Sequence, residues 1–180
     1  MSTKDKIKIQ EEINIPDNVN FELIGDIIKI SGPLGVNERR FRDPRIKIKK
    51  EDNKILLTAN KSVRNEKRIV KTLKAHINNL IYGVNKTYTY KLKICSGHFP
   101  MSVSISGDKV IIKNFFAEKI PRQAKILLNI NVKIDNDIIT VTGINKENVS
   151  QTAANIEQAC RITTRDRRIF MDGIYIISKG

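Results

Sequence analysis

The stretch VNFELIGDIIKI, from Val19, returns in altered form as MSVSISGDKVIIK, from Met101. Each copy is a short alternating run, a Gly-Asp pair and a second apolar run, with a proline, Pro16 or Pro100, just ahead of it. Glycine supplies the positive φ that tight two-residue turns need, so each copy predicts a β-hairpin. The matched glycines, Gly25 and Gly107, stand 82 positions apart. A second match follows. IKIKKEDNKILLTA and NVKIDNDIITVTG each read as strand, acidic turn, strand, with Asp52-Asn53 aligned to Asp135-Asn136 at an offset of 83.

The segments beyond are helical by spacing. After Ser62 come Val63, Ile69, Val70, Leu73, Ile77, Leu80 and Ile81; after Asn145 come Val149, Ala153, Ile156 and Cys160. Steps of three and four put each set on one helical face, and Ser62 and Asn145 are the expected N-caps. Gly83 is the expected C′ residue of the first helix. Two copies of one unit, β-β, loop, β-β, α, therefore fill the chain. An antiparallel sheet with one apolar face needs a cover, and the helix supplies it. The predicted fold is α+β: two tandem duplicated domains, each a small antiparallel β-sheet with one packed α-helix. Their expected extents are residues 1–84 and 85–180, the second carrying a basic C-terminal extension. KTYTYKLKICSGHF is a further strand candidate that could join either domain, and SGPLG at Ser31–Gly35 reads as a bend after the first hairpin, since it lacks the lysine and following helix of a phosphate-binding loop.

The tail TTRDRRIFMDGIYIISKG has no counterpart in the first copy. Ile169, Phe170, Ile174, Tyr175, Ile176 and Ile177 are expected to anchor it on the second domain, which would present Arg161, Arg165, Arg167 and Arg168 on an ordered loop. Arginine forks onto phosphate and stacks on bases where lysine cannot, so these four are the leading candidates for contact with nucleic acid. Charge supports that direction. Of 180 residues, 33 are Lys or Arg against 19 Asp or Glu, for a formal net charge of +14. A compact body so charged is relieved most directly by a polyanion that sheds its counterions on binding.

Other basic groups are weaker candidates. RRFRDPRIKIKK holds Arg39, Arg40, Arg42, Arg45, Lys47, Lys49 and Lys50, and the first helix carries Arg64, Lys67, Arg68, Lys71 and Lys74 opposite its apolar stripe, the pattern of a solvated face. EKIPRQAK reads as a loop offering Lys119, Arg122 and Lys125, and Lys179 adds a cation to the last strand. His98 and Phe99 open the second half in GHFP, where they can stack on an unpaired base or serve as structural residues; the sequence leaves both open.

Catalytic and metal chemistry find no footing. Neither of the two histidines has an Asp, Glu or Ser in a recognisable relation to it, Cys95 and Cys160 form no ligand spacing, and Asp135 and Asp137 are turn formers. No catalytic residue, metal or cofactor is expected. No run of about 18 apolar residues is present to span a membrane, and MSTKDKIKIQEE lacks the apolar core of a signal peptide, so a cytoplasmic protein is expected.

The duplicated unit, KISGPLG after the first hairpin, HFP opening the second half, and QTAANIEQA followed by DRRIFMDGIYI together resemble the universal L-six family of large-subunit ribosomal proteins, in its archaeal and eukaryotic branch. The resemblance covers about Ile13 to Lys179. It implies a non-enzymatic structural constituent of the large ribosomal subunit at the base of the factor-binding stalk, near the sarcin-ricin loop. The implied partners are large-subunit ribosomal RNA and neighbouring ribosomal proteins, with translation factors close by, no membrane and no homo-oligomer. It also places Arg165, Asp166, Arg167, Arg168, Asp172, Gly173 and Tyr175 in the family's terminal motif, the arginines as direct ligands, Asp166 and Asp172 as orienting residues, and Gly173 at the turn.

Overall fold

The computed structural model describes residues 9–51, 53–59, 63–163, 165–166 and 168–180. The chain divides into two compact units, Met1–Lys86 and Thr87–Gly180.

In the first unit the strands are β1 (Ile9–Asn14), β2 (Asn20–Ile24), β3 (Ile27–Gly32), β4 (Gly35–Arg40), β5 (Ile46–Glu51) and β6 (Lys54–Ala59), followed by α1 (Arg64–Asn85). They pair antiparallel in two three-stranded sheets, β1-β6-β5 and β2-β3-β4. Phe21, Ile28 and Ile30 from one sheet and Ile13, Ile55 and Leu57 from the other are buried, as are Val70, Leu73, Ile77 and Val84 of α1. Steps of three, four and seven keep those helix positions on one stripe, the face that covers both sheets.

The second unit repeats the plan with β7 (Tyr88–Cys95), β8 (Ser102–Ser106), β9 (Lys109–Lys113), a 3-10 turn (Phe115–Ala117), β10 (Arg122–Lys125), β11 (Ile130–Asp135), β12 (Ile138–Gly143) and α2 (Lys146–Ala159), then adds β13 (Gly173–Lys179). The sheets are β10-β9-β8 and β11-β12-β7-β13. Leu92, Val110, Ile112, Ile139, Val141, Val149, Ala153, Ile156 and Ile174 form the buried centre. The α+β architecture predicted from the repeats is thus present, with the sheet of each unit split in two.

The hairpin turns explain why the repeat was visible. Ile24 pairs with Ile27 and Ser106 with Lys109, leaving Gly25-Asp26 and Gly107-Asp108 as two-residue loops. Both glycines sit at φ near +59° and +58°, a region that a Cβ disfavours. Asn145 caps α2 as expected, its side chain accepting from the amides of Glu147 and Asn148.

Several local expectations are corrected. Glu51 pairs with Lys54 and Asp135 with Ile138, so the second hairpin turns on Asn136-Asp137 and its offset from the first is 84 (51 to 135). Gly83 does not end α1, which runs to Asn85. Its last turn is held by packing: Val84 is fully buried, lies against Gly32 so closely that a Cβ there would meet it at 2.8 Å, and accepts a hydrogen bond from the Leu34 amide at 3.1 Å. Ser62, the other expected cap, lies outside the described residues. SGPLG is the turn of a further hairpin, because Gly32 pairs with Gly35 and continues into β4. PRQAK is not loop but contains β10, paired to β9. The strand of open allegiance is β7, which lies between β12 and β13 at the heart of the second unit.

Candidate nucleic-acid interface

The arginine loop leaves α2 and enters β13, so both its ends are fixed. After α2 the Arg161 amide donates to the Gln158 carbonyl at 3.0 Å, and Ile162 is buried. At the far end β13 pairs with β7 from Gly173↔Cys95 to Lys179↔Tyr90. The ladder slips between Ile176 and Ser178, and the Ile176 amide donates instead to Glu157 Oε1 of α2 at 3.0 Å. Ile174 is buried, and Phe170 and Ile176 pack against the core cluster, as an anchoring role requires. Ile169 and Ile177, expected to share that role, are 65% and 55% exposed. Ile177 is the residue the slip skips, and Ile169 lies in the turn that carries the arginines.

Within the loop Asp166 organises a turn. Its carbonyl accepts from the Ile169 and Phe170 amides at 3.2 and 2.9 Å, while its carboxylate accepts from the Arg168 amide at 3.0 Å. The same carboxylate takes the Arg168 fork at 3.2 and 3.1 Å, and these bonds hold its pKa below the ordinary range. Arg168 itself remains almost wholly in solvent.

Asp172 ties the loop to the start of the second half. One carboxylate oxygen accepts from the amides of Gly97 and His98, at 2.5 and 2.9 Å; the other is 2.5 Å from His98 Nδ1, whose N–H donates because a carboxylate can only accept. The Asp172 side chain is 6% exposed. Burial pushes its carboxyl up, but the His98 amide, the His98 ring and the Gly97 amide together outweigh that and leave it lowered.

An aromatic platform lies beside this latch. The His98 ring is 4.8 Å from Phe170, Phe170 is 5.8 Å edge-on from Phe116, and Phe116 is 4.7 Å edge-on from Phe115. The exposed Arg165 guanidinium covers the Phe116 and Phe170 rings at 4.8 and 5.0 Å. Phe116 reaches that position from φ 50°, ψ 37°, with Asn114 and Ala117 also at positive φ. For a bulky residue this is a strained conformation. Asn114 holds the segment by donating to the Pro100 carbonyl at 2.8 Å.

The expected ligands therefore divide. Arg161, Arg165 and Arg168 lie exposed on the loop, and Arg167 lies outside the described residues. Arg122 is a strut. Its Nε and Nη2 fork onto Glu118 at 2.8 and 2.6 Å, its Nη1 donates to the carbonyls of Ala159 and Arg161 at 2.9 and 3.2 Å, and its guanidinium lies 4.3 Å from the Phe115 ring centre. It closes the carbonyl end of α2. His98 commits Nδ1 to Asp172 although its side chain is 42% exposed, and Phe99 beside it in sequence is 41% exposed. Lys119 and Lys179 are exposed. The residues sequence reasoning did not single out are Phe116 and Asn114; the doubled phenylalanine in KNFFAEK was the available signal.

Charge in the first unit is partly internal. Arg45 forks onto Asp43 at 2.9 and 2.7 Å, Arg42 lies 3.8 Å from Asp26, Lys50 donates to the Phe21 carbonyl and Lys74 to Glu11 at 2.6 Å. Lys47, Lys49, Arg64, Lys67 and Lys71 stay exposed. Among the described residues no group of three His, Cys, Asp or Glu side chains is placed to hold a metal ion. Cys160 is buried, and burial pushes its thiol up to about 12, which makes it inert.

Comparison with known proteins gives a consistent result. The family model for ribosomal protein L6 matches residues 15–87 and again 99–173, one match in each unit. The chain is 43% identical over 171 residues to large ribosomal subunit protein uL6 of Methanobrevibacter smithii, covering 95% of this chain and 96% of that one. It is 44% identical over 172 residues to the uL6 protein of Methanococcus vannielii, covering 96% and 94%, and 44% identical over 172 residues to that of Ignicoccus hospitalis, covering 93% and 92%.

Proposed function

Starting from the fact that this chain belongs to the ribosomal protein L6 family, we propose that it seats on large-subunit ribosomal RNA chiefly through the arginine loop between α2 and β13, near the stalk base and the sarcin-ricin loop. As a member of that family it is a structural, non-enzymatic constituent of the cytoplasmic large ribosomal subunit. The observation that carries the RNA-binding reading is Arg165 held against two aromatic rings, with Arg168 forked on Asp166 in the same turn. A loop that presents guanidinium groups in fixed attitudes reads the shape and phosphate spacing of folded RNA rather than its sequence. Arg161, Lys119, Lys179 and Phe99 widen the surface of the same unit, and Arg122 and His98 brace it through their carboxylate partners Glu118 and Asp172. The exposed lysines and arginines of the first unit add sequence-independent attraction or meet neighbouring ribosomal proteins.

The test is sucrose-gradient sedimentation of cell extract, blotted for the protein with Arg161, Arg165 and Arg168 intact or all replaced by Ala. The parent is expected in the large-subunit peak and the triple variant at the soluble top. If the variant stays with the subunit in full, the loop is not the anchor.

A further inference from the structure

We infer that Asp172, His98, Phe116 and Phe170 are positioning residues that make Arg165 a preset RNA contact, an inference resting on the RNA-binding reading of the loop. Arg165 makes no hydrogen bond or ion pair among the described residues, so the two rings are what fix its attitude. A guanidinium held by rings spends none of its N–H groups on the fold, so its donors stay available for phosphate oxygens.

Each ring is itself held from elsewhere. Phe170 is fixed behind by the His98 ring, and His98 is fixed by the Asp172 carboxylate, which also takes the amides of Gly97 and His98. Phe116 is aimed from the other side by its own left-handed backbone and that of Asn114 and Ala117, with Asn114 tied to Pro100. Backbone strain at a bulky aromatic persists where surrounding structure over-determines it, and here the ring it delivers lies under a cation. The acid and the imidazole touch no RNA in this scheme. They remove the freedom that Arg165 would otherwise lose on binding.

The experiment uses the full chain and in vitro transcribed large-subunit ribosomal RNA, with filter binding across a salt series. The variants are Arg165→Ala, Asp172→Asn and the double variant, each first checked for folding by circular dichroism. Arg165→Ala and Asp172→Asn are each expected to weaken binding about tenfold, and the double variant to bind no more weakly than Arg165→Ala alone, because the second change acts through the first. Phe170→Leu keeps the apolar bulk and removes the ring; it carries the same expectation if Asp172→Asn does not fold. Losses that multiply in the double variant, or Asp172→Asn and Phe170→Leu affinities within twofold of the parent while Arg165→Ala is weakened, would overturn the positioning role and leave the RNA-binding loop standing. Unchanged affinity in Arg165→Ala and in the triple arginine variant would instead remove the reading beneath it.

Discussion

Burial alone would push the Asp172 carboxyl up, yet three N–H donors converge on it and the balance falls the other way, below its ordinary 3.8. A carboxyl lowered on folding gives stability that is complete above the unfolded value and drains away as pH falls through the lower folded one. Asp172→Asn is therefore expected to destabilise the protein at pH 7 by about 1–3 kcal/mol, the usual cost of unmaking buried hydrogen bonds to a charged group. The gap should narrow as urea unfolding is repeated at successively lower pH beneath 3.8. A gap that stays constant down that series would mean the carboxylate charge is not what the latch uses. Arg122 shows the converse at this scale: a cation that sequence places on a surface loop becomes, through Glu118 and two carbonyls, part of the scaffold.

Among the elements, β1 and β7 occupy the same place in the two repeats but meet different fates. Among the described residues β1 is an edge strand, and its IQEEIN sequence sets charged residues where another chain would otherwise pair. YTYKLKIC of β7 alternates apolar and polar and is covered on its second edge by β13. Covering that edge requires a slip in the ladder, and Glu157 receives the amide of Ile176 at that point. Glu157→Gln, which retains a carbonyl acceptor, is expected to cost little; Glu157→Leu is expected to cost about 1–2 kcal/mol by leaving the amide unmet. Thermal unfolding of the two variants measures the difference, and equal midpoints would rule out the bond as a support of β13.

Elements also show what could be read beforehand. The Gly-Asp turns, the helical stripes and the Asn145 cap are local signals, so the duplication was visible from spacing. GVNERR and RQAK were not visible as β4 and β10, because short, polar edge strands are defined by the partner they pair with. The arginine loop was legible by composition and by resemblance. Its platform was not, since Phe116 and Phe170 meet only through the tertiary fold.

At the scale of the whole molecule a net charge of +14 gives attraction to any polyanion, and on the proposed reading the loop gives it an address. Salt separates the two. The logarithm of RNA affinity should fall linearly with the logarithm of salt concentration, at a slope of about −0.7 to −0.9 per neutralised phosphate. Replacing an exposed loop arginine that contacts phosphate should make the slope shallower by about that amount. Replacing Arg122 should leave the slope alone while lowering stability; a slope that shifts with Arg122 would return it to the RNA surface. The latch has one more consequence, in time rather than space. Residues 97 and 98 are joined to residue 172, and the second edge of β7 is covered by β13, so a nascent chain carries most of its positive charge before the proposed RNA contact can be set. On the proposed reading, a chain interrupted before Asp172 is expected to be cationic and adhesive without a preset arginine, and to compete poorly with the full-length protein for large-subunit RNA in a displacement assay.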